Sequence, residues 1–494
     1  MEINPAVTFK HDRSVMYAKR PKVLIVGAGL AGLTLGMLLH KAGIPFEIYE
    51  RAATIKPLGS AMYFNGSTAP MFTQCGIYEQ FLAIAKPVFT MKFCNEDREV
   101  EHMMHFRDHQ ELFGAEGYIV SRPMLYDVIL KQIPKDRIHL GKKVLTMDQG
   151  GNGVLIRFSD GSEAEGDILV GADGAYSATR QNLYAKMQKE RRLPAGDGVP
   201  LPFSTIYLVG QTRPLTAEEF PDVEIPDCQF HTTVGTNKPY AWKTFTTAQK
   251  TVCYMAMQFL DDESSKDNDA FRNSEWGPEA ASVMCEQVKD FPIIGGGDKK
   301  VTIGDLINWT SKDVISKVML EEKVFDTWYD CRTVLIGDAC HKFNPSGGVG
   351  GSNAMHDAIV LANLINGLPF HPVAEEIENA FKAYKKERFE WVKKAFGNSA
   401  MFRTMAGPSL SAKLVRYVVK NVPAWAMRKA ELRILSYRPS VAFLPPYEDK
   451  GTHKPVFQPS LSARAPIETE AESKNSAEAS SNSSSEEEST AKAV

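Results

Sequence analysis

Three glycines at G-x-G-x-x-G spacing, Gly27, Gly29 and Gly32, follow an apolar run at 23–26 and lead into a helical stretch from Leu30 to Lys41 that Gly43 stops. The chemistry such a turn serves is phosphate binding. Gly27 permits the tight turn, Gly29 lets the backbone approach a pyrophosphate, and Gly32 lets helix and strand pack closely. The helix N-terminus then offers free N–H groups and a positive dipole end to the anion. Residues 46–49 read as a second strand. Glu50 at its end, about 20 residues on, is an acid placed to accept from ribose hydroxyls. A glycine-rich turn without a ligand would not require strand, glycines, helix, strand and acid in this order.

Two later stretches narrow the ligand to FAD. Asp167-Ile168-Leu169-Val170-Gly171-Ala172-Asp173-Gly174 continues to Ser177 and Arg180. Val334-Leu335-Ile336-Gly337-Asp338-Ala339-Cys340-His341-Lys342 is followed by Asn344-Pro345-Ser346-Gly347-Gly348-Val349-Gly350-Gly351. Each is a buried strand running into a polar, glycine-bearing turn. Asp338 at a strand end is suited to accept from ribityl hydroxyls. The glycines from Gly347 to Gly351 open a helix, whose N–H groups can face an electron-rich ring edge.

With these motifs in this order, the sequence resembles the class A FAD-dependent monooxygenases, the para-hydroxybenzoate hydroxylase-like group. Within it, the sequence is most similar to the fungal FAD-dependent epoxidases and hydroxylases of meroterpenoid and indole-diterpene pathways. Gly337-Asp338, His341-Lys342, Pro345, Gly348, Gly350-Gly351, Asp357-Ala358 and Leu361-Ala362-Asn363 match that group's second motif. Val349, Ser352 and His356 depart from it, standing where Gln, Asn and Glu are usual. The resemblance spans roughly residues 22–400. It implies that Gly27, Gly29 and Gly32 cradle the diphosphate, Glu50 holds the adenosine ribose, and Ala61 approaches the cofactor by backbone from a loop. It implies that Arg122 reaches the cofactor, that Asp173 and Gly174 serve both FAD and transient NAD(P)H, that Asp338 bonds the ribityl chain, and that Gly351 meets the flavin ring. The implied reaction is NAD(P)H-dependent monooxygenation, in which a flavin C4a-hydroperoxide hydroxylates or epoxidises an aromatic or prenylated, terpenoid substrate with O₂. The cofactor does the hard chemistry, so no catalytic dyad or triad is expected.

The elements that must position these residues give an α/β architecture. It comprises a Rossmann-like FAD-binding domain, a mainly antiparallel β-sheet substrate domain and C-terminal helices. Residues 1–20 read as a flexible leader and 21–200 as the first part of the FAD-binding domain, with 181–200 a crossover or surface loop. Residues 201–325 read as the substrate domain, with strands at 205–210, 230–234, 240–246 and 251–259. Residues 276–290 and 301–320 read as helix. Residues 326–400 complete the FAD-binding domain, 401–459 form a helical region, and 460–494 read as a disordered acidic, Ser-rich tail too polar to bury a core. Ser121 is a good N-cap for the helix that Arg122 and Pro123 open. Asp160-Gly161 is a hairpin turn signal.

At 494 residues the chain exceeds one ordinary core. The net charge is -3, and the tail alone accounts for about five negative charges, so no nucleic-acid surface is expected. Seven scattered cysteines without a C-x-x-C pair argue against a disulfide framework and a zinc site, and for an intracellular, cytoplasmic setting. No run is apolar enough to span a membrane. The basic stretch 413–438 reads first as a solvated face and second as peripheral membrane contact. Several side chains have plain structural readings. Arg122 is then a helix-start arginine, Asp338 a turn residue, His341 a packing or hydrogen-bonding residue, and Cys340 a small apolar residue. Tyr207, Tyr240 and Trp242 are either core or pocket aromatics. From another class, an FAD-binding redox sensor fits the same motifs, as does a Baeyer–Villiger or dearomatising enzyme on this scaffold.

Overall fold

In the computed structural model, residues 20–55, 61–236, 238–260 and 278–463 are described. The expectations for the leader and for most of the acidic tail lie outside them.

The strand Val23–Val26 is buried along its whole length, as an unbroken apolar run requires when both faces are covered. It forms the middle of a six-stranded sheet ordered Tyr329–Asp330, Thr333–Leu335, Ile168–Gly171, Val23–Val26, Phe46–Tyr49, Ile138–His139. All pairs are parallel except the first. The helices Leu30–Lys41 and Gly350–Asn366 pack together against one face. The opposite face is covered by an antiparallel sheet of Val144–Gly150, Gly153–Phe158 and Glu163–Gly166. The Asp160-Gly161 turn joins the last two, so its partner is a strand that the sequence reading passed over.

The second layer is a seven-stranded sheet ordered Ser316–Glu321, Phe203–Gln211, Val252–Phe259, Tyr240–Thr246, Phe230–Val234, Thr90–Cys94, Val100–His105. It is antiparallel except where Phe230–Val234 meets Thr90–Cys94. The four strands expected between 203 and 260 are all present. Residues 316–321, read as helix, are instead an edge strand, because Phe203–Gln211 offers them a ladder. Two strands come from residues 90–105, so the chain's first part contributes to the second layer. Residues 181–189, read as loop, belong to the helix Ala178–Lys189. The Ser177 hydroxyl caps this helix by accepting from Arg180 N, and Asp173 accepts from Thr179 N at 3.0 Å.

The C-terminal region is helical as expected, with Ala374–Ala406 followed by a hairpin of Leu410–Asn421 and Ala424–Leu435. Order continues past residue 460, because Ser460 N donates to the buried Glu387 carboxylate at 2.7 Å. All seven cysteines are free thiols. Among the described residues, no helix is long and apolar enough to cross a membrane.

Candidate functional site

Three turns separated by about 300 residues of chain meet because their strands are neighbours that end in register. Val26 pairs with Gly171, and Gly171 pairs with Leu335. The carboxyl ends of these parallel strands therefore present Gly27–Gly32, Ala172–Gly174 and Gly337–Asp338 side by side, where open α/β sheets bind ligands. Arg180 locks two of the turns together. Its buried guanidinium donates to Ala175 O at 2.6 Å and to Ala339 O at 2.8 Å, and it lies 4.2 Å from the centre of the Phe325 ring.

The turns open into one continuous chamber of about 1910 Å³, lined on one side by these loops and on the other by the seven-stranded sheet. A single drug-sized ligand needs about 300–1,000 Å³, so this chamber has room for a dinucleotide and a second molecule. Gly29, Glu50, Ala61, Arg122, Asp173, Gly174, Asp338 and Gly351 all line it. Gly27 and Gly32 do not. A Cβ on Gly27 would stand 2.4 Å from Ala172 O, and one on Gly32 2.0 Å from Gly27 O, so both glycines serve close packing behind the turn. Above Gly29 a Cβ would have only Ala172 O, at 3.9 Å, within reach, and above Gly174 nothing within 4 Å. Those two backbones face the open slot.

The polar side chains have mixed duties. Glu50 accepts from Ala28 N and Ala52 N, both at 2.9 Å, which fixes the fingerprint turn against its strand. Asp173 accepts from Ser177 Oγ at 2.5 Å as well as from Thr179, and burial pushes its carboxyl up from the ordinary value. Burial alone would raise Asp338 too. Lys342 at 2.5 Å, with His341 and Arg122 adding positive charge, holds it below the usual carboxylate range. Arg122 is the first residue of the helix Arg122–Leu130, and Ser121 sits at the cap position without a side-chain cap bond. The Arg122 Nε is buried without a partner, which a plain surface arginine would not be. Ala61 opens a strand, Ala61–Phe64, paired with Ser121, and is not in a loop. An unpartnered guanidinium N–H, two uncovered glycine backbones, a helix N-terminus and an ionised strand-end acid in one slot fit FAD.

At the far end, the turn Pro345–Gly347 leads through Gly348, at φ +63, into the helix Gly350–Asn366. A Cβ on Gly351 would lie 2.6 Å from Met62 Cε. The sheet holds this turn directly. Tyr207 OH donates to Asn344 Oδ1 at 2.8 Å and shares a 2.7 Å bond with Ser346 Oγ, and Lys243 Nζ donates to Ser346 O at 3.2 Å. Tyr207 and Lys243 face the chamber. Tyr240 and Trp242 face away, Tyr240 edge-on and Trp242 tilted against Phe291, so alternation along the strand separates aromatics that the sequence had grouped. Lys243 was missed, although a lysine at the middle of an apolar strand was a visible signal.

His341 and Asp357 are fully buried and joined at 2.5 Å, and Cys340 lies beside them. The acid comes from 16 residues further along, on the helix Gly350–Asn366. Asp357 is already occupied by Arg388 Nε at 2.8 Å and Gly337 N at 2.9 Å, so the hydrogen-bonding reading accounts for the cluster. Burial would raise Asp357, but His341 and Arg388 outweigh it and hold the carboxyl below its ordinary value. The Cys340 thiol is pushed well up by burial and donates weakly to Leu335 O, as a small core residue would. Of the motif departures, His356 is buried against Ser67 Oγ at 3.1 Å and Tyr437, and burial pushes it down to about 3, so it is neutral.

Residues 20–206 and 304–399 match the FAD binding domain family. The chain is 26% identical, over 90% of its length and 92% of the relative's, to the FAD-dependent monooxygenase esdpE of Penicillium shearii. It is 28% identical to the FAD-dependent monooxygenase nvfK of Aspergillus novofumigatus, over 70% of this chain and 71% of that one. Among solved structures, Klebsiella pneumoniae HpxO complexed with FAD and uric acid shares the fold at a TM-score of 0.63 and 20% identity, covering 84% of this chain and 94% of that chain.

Proposed function

The chain belongs to the FAD binding domain family and is an FAD-dependent monooxygenase; from that premise we propose that it uses NAD(P)H and O₂ to hydroxylate or epoxidise an aromatic or prenylated, terpenoid small molecule. The observation that carries this reading is the single chamber in which the three loop ends and an apolar sheet face meet. Bound FAD supplies the activation of O₂ and the transfer of one oxygen atom. The chain's own residues do the rest. Gly29 and the N-terminus of Leu30–Lys41 receive the diphosphate, with Gly27 and Gly32 keeping that turn tight. Glu50 takes the adenosine ribose. Asp338, ionised, accepts from the ribityl hydroxyls, and the Gly351 amide stabilises negative charge on the ring edge. Ala61, Arg122, Asp173 and Gly174 complete the slot. Val209, Phe245, Met255 and Leu320 give the substrate an apolar floor that excludes water.

The hairpin of Leu410–Asn421 and Ala424–Leu435 closes the chamber's other side through Val419, Met427 and Ile434. Its outer surface exposes Leu410, Leu414, Tyr417 and Trp425 among Lys413, Lys420 and Lys429. That combination favours peripheral contact with an anionic lipid surface, from which a lipophilic substrate would enter. Seven free thiols fit a reducing, intracellular setting.

The test is direct. Purified protein is expected to carry a flavin absorbance that NADPH or NADH bleaches anaerobically, and to form oxygenated product from prenylated phenols in step with NAD(P)H consumed. Protein without flavin, or flavin that neither nicotinamide bleaches, ends the reading.

A further inference from the structure

The substrate end of the chamber holds a charge that the flavin site does not use. Lys243 sits in the middle of Tyr240–Thr246 with only 8% of its surface exposed, among Val209, Phe245 and Met255. A lysine is seldom buried unless paired with an acid. Its ammonium has three donors. One goes to Ser346 O, and no carboxylate among the described residues pairs with it. Burial pushes its ammonium down to about 8. Directly across the strand pair, Thr232 is 1% exposed and its hydroxyl has no hydrogen-bond partner. A buried cation with spare donors facing the chamber, across the strand pair from an unsatisfied hydroxyl, is a cost to folding that a ligand oxygen would offset.

We propose that Lys243 is an oxyanion subsite, taking an ionisable hydroxyl of the substrate, a phenol or an enol, as its conjugate base. This deepens the monooxygenase reading and rests on it. The proton leaves the substrate oxygen to solvent, the ammonium stays charged, and the ring or enol gains the electron density that electrophilic oxygen transfer requires. Lys243 also bonds the backbone of the turn Pro345–Gly347 next to Gly348–Gly351, so the same side chain that holds the substrate oxygen sets its distance from that turn.

The test uses the FAD-loaded protein and 4-nitrophenol, whose phenolate absorbs at longer wavelength than the phenol, with 4-nitroanisole as the analogue that cannot ionise. At a pH where free nitrophenol is mostly protonated, difference spectra are expected to show the phenolate band on binding, and nitroanisole is expected to bind about tenfold or more weakly. Lys243→Met is expected to abolish the band and bring the two affinities together, while Lys243→Arg keeps the band. The Met variant is expected to melt no lower than the parent, since it removes a buried charge. A phenolate band unchanged in Lys243→Met, or no band in the parent, overturns the proposal. Should Lys243→Met lose its flavin, equal affinity of the parent for nitrophenol and nitroanisole still overturns it. Failure here leaves the parent's flavin content and its bleaching by NAD(P)H untouched, so the two readings fall separately.

Discussion

Arg388 Nε lies 2.8 Å from Asp357 Oδ1, with both side chains wholly out of solvent. Asp357 Oδ2 takes Gly337 N and His341 Nε2. One carboxylate thus ties the long helix Ala374–Ala406 and the helix Gly350–Asn366 to the turn that carries Asp338. Removing one partner of a buried pair leaves the other charge uncompensated, at about 3–5 kcal/mol. Asp357→Asn and Arg388→Met are each expected to lower the melting temperature markedly and to purify with little FAD. The double variant Asp357→Leu/Arg388→Met is expected to be more stable than either single replacement, which a double-mutant cycle measures.

The fingerprint glycines should separate into two classes. Gly27→Ala forces a Cβ into Ala172 O at a residue with φ +105, and is expected to cost at least about 3 kcal/mol of stability. Gly29→Ala meets only ordinary contact within the chain. It is expected to leave the melting temperature of the flavin-free protein nearly unchanged and to weaken FAD binding about tenfold or more, because the new methyl stands where the pyrophosphate approaches. Equal FAD affinity in Gly29→Ala and the parent would remove the diphosphate from this turn.

Acid should destabilise the fold above the ordinary carboxylate range. Burial pushes His231 down to about 4 and His356 down to about 3, from an ordinary value of 6.5. Between those values and 6.5 the unfolded chain binds protons that the folded chain refuses. The stabilisation is therefore complete above pH 6.5 and is lost as pH falls toward 4, with each histidine contributing up to about 1.4 kcal/mol per pH unit. Urea melts at pH 7.5, 6 and 5 are expected to show this slope, and His356→Gln should shrink it by about half. Asp357 acts in a different window. Its lowered carboxyl supports folding above its ordinary value of 3.8 and is lost only below that.

The hairpin prediction is read by flotation with vesicles. Binding is expected to vesicles containing an anionic lipid, to weaken as salt rises, and to fall when Leu414 and Trp425 are replaced by Glu. Those residues are 63% and 72% exposed, so the change should leave stability almost unaffected. Equal recovery of parent and variant with vesicles would make this face an ordinary solvated surface.

Much of the cofactor end was legible in the sequence, because its chemistry is local. A glycine spacing, a strand's final acid and a helix start lie within a few residues of one another, and backbone geometry alone gives them meaning. The antiparallel sheet was legible as well, from β-branched and aromatic runs. The strands at 90–105 and 316–321 were not, because edge pairing is decided by a partner far along the chain. The same holds for side chains whose role depends on distant contacts. Arg180 and Ala339 are 159 residues apart, Lys243 and Ser346 are 103 apart, and Asp357 and Arg388 are 31 apart. By itself, then, the sequence marked three turns whose glycines and acids suit a dinucleotide. The order and register of the parallel strands decided that three such turns share one slot, and strand alternation decided that Lys243, and neither Tyr240 nor Trp242, faces it. Which side chains meet across a sheet is a property of pairing, and pairing is settled only when the whole chain has buried its apolar faces.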